Sequence, residues 1–444
     1  MDDFIAARSQ MAMSLAFHII FACIGMVMPW LMTVAHFRWL RTGDASYYRL
    51  TKAWSKGVAI FFVTGAVSGT VLSFEMGLLW PGFMEHAGPI FGMPFSLEGT
   101  AFFVEAIALG LYLYGWKRMQ RWVHWGTGVV VGISGVASGV LVVAANGWMN
   151  SPSGFVFDEV TGTYGQVDPV AALFNDAWLH QSLHMTLAAF VATGFAVAGI
   201  HAWLLLKGRN RAFHLKAARI ALVFAAVAAL LQPLSGHQAA DRVAELQPTK
   251  LAAMEAHYET GPADMIIGGI PNDATESVDY AIRLPGMLSW LIHFDTEAEV
   301  AGLDQVAPAD RPNVPVVHFA YQIMIGLGMF LAALSVGFFV LNRSKTPALA
   351  RRWYLKALVL AAPMGFLAVE AGWTVTEVGR QPWIIYGYMR TADAVTAMPG
   401  IQYSFYAFTA LYLVLSLLVT LLMVRQIRMV PVLYDPAPVS LQPA

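Results

Sequence analysis

Imidazole, thioether and carboxylate groups can all bind iron, and this sequence places a small set of them inside stretches apolar enough to cross a bilayer. They are His18, His180, His184, Met324 with Gln322 beside it, and the acids Glu98, Glu105, Glu370 and Glu377. An ionisable group within a membrane span is costly, so each is a functional hypothesis by default. Counted from the outer end of its span at roughly 1.5 Å per residue, each of His18, His184, Met324 and Glu370 falls about 9 to 12 Å deep. Two imidazoles, a thioether and a carboxylate at one depth, on four helices, suit haem iron held within a bundle. His180, one turn above His184, is a rival of the same type. Glu98 and Glu105 project from one face of their span, about 10 Å apart along the axis, which is the geometry of a proton relay. Ser138 and Asn146 on the next span could extend it, although a hydroxyl and an amide also serve as ordinary interhelical hydrogen bonds.

The elements that must position these groups follow from hydropathy and charge. The chain has 444 residues, 57% hydrophobic and 12% charged, which is half the charge of a soluble protein and marks a membrane protein. A net charge of −1 leaves no basic surface for nucleic acid. The single cysteine, Cys23, excludes intrachain disulfides and thiolate-bound zinc or iron-sulfur centres. Apolar stretches of spanning length lie near 11–37, 57–80, 95–116, 123–147, 178–206, 217–234, 316–341, 355–377 and 402–424. The expected fold is therefore all-α and integral to the membrane, with nine transmembrane helices. The start Met1-Asp2-Asp3 lacks the cationic character of a signal peptide, so the first span is expected to be retained.

Lysine and arginine cluster in alternate connections, for example Arg38, Arg41, Arg49, Lys52 and Lys56, then Lys117, Arg118 and Arg121, while 81–94 and 148–177 contain neither. The basic connections should be cytoplasmic, which puts the N-terminus outside and the C-terminus inside. Four segments result: residues 1–234 with helices one to six, an outward loop over 235–315, helices seven to nine within 316–428, and a cytoplasmic tail from 429 to 444. Within the loop, Thr249 to Thr260 reads as an amphipathic helix with Leu251, Met254 and Tyr258 on one face, able to lie on the membrane surface.

Several strings in this order resemble subunit I of cytochrome bd-type quinol oxidases, in the branch with a short quinol loop often called cyanide-insensitive. They are Arg8 ten residues before His18, Gly92-Met93-Pro94-Phe95-Ser96-Leu97-Glu98-Gly99, Ala145-Asn146-Gly147-Trp148-Met149, Lys250-Leu251-Ala252-Ala253-Met254-Glu255, and Glu370-Ala371-Gly372-Trp373 leading to Gly379-Arg380-Gln381-Pro382-Trp383. The resemblance implies that His184 and Met324 ligate a low-spin haem b and that His18 ligates a high-spin haem, haem d or a further haem b, with Glu98 beside or trans to that iron. It implies Glu370 as ligand of the high-spin haem b, Arg8 and Trp373 as further cofactor-binding residues, and Lys250 and Glu255 as quinol-binding. Protons would reach the oxygen site from the cytoplasm through Glu105, Glu98, Ser138 and Asn146. The implied activity is oxidation of ubiquinol or menaquinol at the outer face with reduction of O2 to water, in a bacterial inner membrane. A second membrane subunit is implied, and a small single-helix subunit is allowed. The residues alone leave two rivals open, a membrane transporter and a b-type cytochrome that does not reduce oxygen.

Overall fold

A computed structural model describes residues 2–158, 160 and 163–433. Among these, nine helical segments are long and apolar enough to cross a membrane. We label the helices α1 (Asp3–Thr42), α2 (Ala45–Leu79), α3 (Pro81–Tyr114), α4 (Arg121–Asn150), α5 (Trp178–Leu206), α6 (Arg211–Leu246), α7 (Pro248–Glu255), α8 (Val314–Asn342), α9 (Arg352–Ala361), α10 (Met364–Val378) and α11 (Ile401–Leu433). The short α7 belongs to the loop, and α9 with α10 forms one span interrupted around Pro363, which has no N–H to continue the ladder. The expected tail is helical as far as Leu433, and residues 434–444 lie outside the described residues.

Local sequence sets the breaks. Gly43, in the left-handed conformation at φ 68°, ends α1, and the Asp44 side chain accepts from Ser46 N at 2.8 Å to start α2. Asp44 also pairs with Lys216 of α6. Proline occupies the first turn of α3 and α7, where its missing N–H costs nothing.

The helices form two groups. One packs α1 on α2 and α4, and α3 on α4. The other is a ring in which α5 packs on α6 and α10, and α8 packs on the same two, so α5 and α8 face each other diagonally. Contacts of α1 and α4 with α5 join the groups, and α11 lies against α1 and α2 with most of its surface exposed. Small residues allow this closeness: a Cβ on Gly194 would meet Ala225 of α6 at 2.7 Å, and one on Gly199 would meet Ala362 at 2.6 Å.

One end of the molecule carries the segment between α6 and α8; the opposite end carries Arg38, Lys52, Lys117 and Arg211, and is called here the basic end. The loop segment holds α7 and a hairpin of β1 (Met265–Asn272) with β2 (Ser277–Leu284). The helix expected over 249–260 stops at Glu255, where Ala256 turns left-handed at φ 49°. Every residue from Lys250 to Glu255 is buried, so α7 is packed into the protein and does not lie on a membrane surface. Its apolar face splits, with Leu251 in one cluster and Met254 with Tyr258 in another beneath the hairpin.

Candidate haem and quinol sites

Helix register, not distance from helix ends, brings the iron-binding candidates together. In α1 the helix begins at Asp3, so His18 lies fifteen residues from the observed outer end, about twice its distance from the end expected from hydropathy. On α5, Thr193 Oγ1 donates to the Cys23 carbonyl of α1 at 3.1 Å, which sets residue 188 level with His18. Gly365 packs on Ala192 and Gly199 on Ala362, so the antiparallel α10 places Glu370 near that same level. Met324 Sδ lies beside Gly372, where a Cβ would be 3.0 Å away. His184 of α5 is about one turn closer to the loop end, so all four side chains fall within a layer of roughly one to two helical turns.

His184 and Met324 stand on the diagonal helices α5 and α8, with glycines on the flanking pair: a Cβ on Gly236 of α6 would lie 3.5 Å from His184 Cε1. Gln232 Nε2 is 3.0 Å from His184 Nε2 and 3.2 Å from its carbonyl oxygen. Two side chains around this space retain buried polar atoms with no partner, Gln232 Oε1 and Trp373 Nε1. His180 is buried one turn away. In the other group, His18 Nδ1 lies 2.9 Å from Ser68 Oγ. Ser68 reaches the carbonyls of Thr64 and Gly65 at 2.9 and 3.1 Å, so its proton is directed there and His18 Nδ1–H donates to it. That tautomer leaves the His18 Nε2 lone pair free for a metal.

The two carboxylates of α10 differ. Glu370 keeps a buried Oε1 without a partner. Glu377 is fully engaged, accepting from Asn146 Nδ2 at 2.6 Å and pairing with Arg380. The sequence marks Glu377 only as one more intramembrane acid; its position three residues before Arg380, which proves to be buried, is the available signal. Glu75, also unassigned, is buried in α2 and accepts from Gln10 Nε2 at 2.8 Å.

Ser138 Oγ donates to Glu98 Oε1 at 2.9 Å, and Glu105 is buried on the same face of α3. Asn146 does not join this group. It lies two turns nearer the loop end, bonded to Glu377 and to Asn150 Nδ2 at 3.1 Å. Arg8 is exposed near the start of α1, with its guanidinium 5.4 Å from the Phe4 ring, and touches none of these groups.

Lys250 and Glu255 are each 3% exposed, so neither belongs to a solvated ion pair. Lys250 Nζ donates to Asn150 Oδ1 and Gln247 Oε1, both at 2.6 Å, and its stem passes over Gly379. Burial, reinforced by Arg380 and opposed by Glu377, pulls the lysine down to about 7. Burial pushes Glu255 up to about 7 against hydrogen bonds from Tyr321 and the Ile266 backbone. Glu255 Oε2 has no partner. Above it, His318 bonds the carbonyls of Met254 and Gly268 at 2.8 and 3.0 Å, and Gln322 Nε2 holds the Ile266 carbonyl at 2.8 Å. These contacts tie the hairpin and α7 to the helix that carries Met324.

Among the described residues no three His, Cys, Asp or Glu side chains converge as a bare metal site. Single ligands on separate helices fit iron that arrives with four porphyrin nitrogens, and the glycine-lined gap with its orphaned polar atoms fits the His184/Met324 pair to such a group. The fold and site thus define a polytopic membrane protein with imidazole, thioether and carboxylate side chains gathered near one layer, and with a lysine and an acid buried at its loop end. The family model for cytochrome bd terminal oxidase subunit I matches residues 6–431, and the chain belongs to that family. It is 34% identical over 441 residues to a Bacillus subtilis protein provisionally named cytochrome bd menaquinol oxidase subunit I, covering 97% of this chain and 98% of that one. It is 26% identical to the cytochrome bd-II ubiquinol oxidase subunit 1 of Escherichia coli, over 90% of this chain and 91% of the other. The solved bd oxidase of Geobacillus thermodenitrificans superposes with a TM-score of 0.90 at 33% identity, covering 96% and 98% of the two chains. The family and the nine apolar helices make this a multi-pass protein of the bacterial inner membrane and a respiratory oxidoreductase.

Proposed function

We propose that this subunit oxidises quinol at the loop end and delivers the electrons to oxygen at haem iron, with the loop end outside and the basic end in the cytoplasm. The placement of His184 and Met324 at one level on diagonal helices, with Gly236 and Gly372 lining the space between, carries this reading. The positive-inside rule supports the orientation. Bound haem supplies one-electron transfer and oxygen chemistry; a His/Met pair suits the low-spin haem b. His18 serves a high-spin haem, haem d or a further haem b, with Glu98 and its partner Ser138 close by. Glu370, whose orphaned oxygen seeks a partner, serves the second high-spin haem, and Trp373 lines the same helix.

At the loop end, Glu255 accepts a quinol hydroxyl proton and Lys250 hydrogen-bonds the other oxygen, so each quinol leaves two protons outside. Ubiquinol and menaquinol both present hydroxyls suited to this pair. Glu105 and Glu98 hold protons drawn from the basic end, with Ser138 fixing Glu98; Asn146 lies beyond them, where it orders Glu377. Electrons and protons then approach oxygen from opposite sides, and charge separates without a pump. A subunit II completes the complex, and lipid or a small single-helix subunit covers remaining apolar faces. Oxygen uptake with a soluble quinol tests the activity: purified complex without uptake, or without a reducible Soret band, would remove it.

A further inference from the structure

Resting on the reading that Glu105 passes protons, we propose that Tyr112 and His36 form the cytoplasmic inlet that feeds it. Glu98, Glu105 and Tyr112 recur at seven-residue intervals on α3, so the tyrosine continues the carboxylate stripe two turns toward the basic end. Tyr112 Oη lies 3.0 Å from His36 Nδ1 of α1, and both residues are fully buried. His124 of α4 donates through Nε2 to the Tyr112 carbonyl at 2.7 Å, which fixes the start of the line. His36 Nε2 is a buried nitrogen without a partner, an arrangement that costs stability unless something is delivered there. Trp116 stacks 5.3 Å from His36 and carries the Lys52 ammonium 4.1 Å from its ring centroid, so the inlet lies beside the basic rim.

The gap from Tyr112 to Glu105 is about 10 Å along the axis, and the structure lines it with polar atoms. Trp30 Nε1 is a buried donor without a partner. Pro29 has no N–H, so the carbonyl of Gly25 loses its helical partner. That carbonyl and Glu105 Oε1 both border Gly135, at 3.2 and 3.6 Å from where a Cβ would sit. A donor and two acceptors are enough to hold a bridging water. In the transfer, His36 takes a proton at Nε2 and gives one from Nδ1 to Tyr112 Oη. The tyrosine passes its own hydroxyl proton into a short file of waters, of which this one is the last before Glu105, and so to the carboxylate; neither ring keeps a charge.

The test uses the whole complex in proteoliposomes, with turnover, alkalinisation on the basic side and the deuterium isotope effect measured together. Tyr112→Phe keeps the ring against Gly128 and removes only the hydroxyl. It should slow oxygen reduction and proton uptake about tenfold or more and raise the isotope effect, with haem absorbance unchanged. Glu105→Gln is run beside it. Slowing of both variants supports the inlet. If Glu105→Gln is slow and Tyr112→Phe behaves as wild type, the inlet is overturned and the Glu105 reading stands. If Glu105→Gln is as fast as wild type, that reading fails and the inlet with it. Should Tyr112→Phe lose haem absorbance, His36→Gln replaces it, and wild-type turnover there overturns the inlet.

Discussion

Replacing Glu255 with glutamine separates chemistry from folding because the two should move in opposite directions. Glutamine keeps the size of the side chain and can still accept from Tyr321 and the Ile266 backbone, but it cannot take a proton. In the wild-type protein the carboxyl is pushed from an ordinary value near 4.5 to about 7. The folded state therefore holds a proton that the unfolded chain has released, and stability contributed by the neutral acid is full below pH 4.5 and is lost as pH rises through 7. The difference corresponds to about 3 kcal/mol at pH 8. Glu255→Gln should accordingly raise the thermal midpoint at pH 8 and leave it unchanged near pH 4.5. Turnover should fall about a hundredfold or more, the usual loss when a general base is removed. The wild-type kcat/KM for quinol should rise about tenfold per pH unit below 7 and flatten above it, and the variant should lose this limb. Thermal scans at the two pH values and oxygen uptake with a soluble quinol measure both effects. A variant that keeps wild-type kcat/KM, or that is less stable at pH 8, refutes the reasoning.

Met324→Leu preserves volume and removes the thioether, so the low-spin haem absorbance should vanish or shift while high-spin signals persist; an unchanged spectrum removes Met324 from the ligand set. Gly372→Ala should perturb the same signal more mildly, because its methyl group would sit 3.0 Å from Met324 Sδ and overpacking of this kind costs about 1–3 kcal/mol. The two acids of α10 are separable: Glu370→Gln should abolish one high-spin signal, whereas Glu377→Gln should keep it and weaken the Asn146 and Arg380 contacts, and the reverse result would transfer the ligand role to Glu377. Lys250→Met should raise the quinol KM at least tenfold, read from initial rates, with haem content intact.

Membrane embedding was legible in the sequence because bilayer thickness imposes a length on every apolar run, and each of the nine expected spans coincides with an observed helical segment, overrunning it by two residues at most. The costly intramembrane residues stood out for the same reason, since hydrocarbon makes any acid or imidazole conspicuous. Depth was not legible in that way. Hydropathy marks where lipid begins, whereas α1 continues outward to Asp3, so His18 reaches the level of Glu370 through contacts such as Thr193 with Cys23. The loop shows the limit most clearly. Lys250 and Glu255 are charged letters on a short amphipathic repeat, and only packing, of the first against Asn150 and Gly379 and of the second against Tyr321, buries each and shifts its proton affinity. Asn146 likewise belongs to a relay by type and to the Glu377 contact by position. Local sequence thus determined the helices and their chemistry, because span length and desolvation act residue by residue; tertiary register decided which groups meet, because neighbours across helices are set by side-chain packing over the whole bundle.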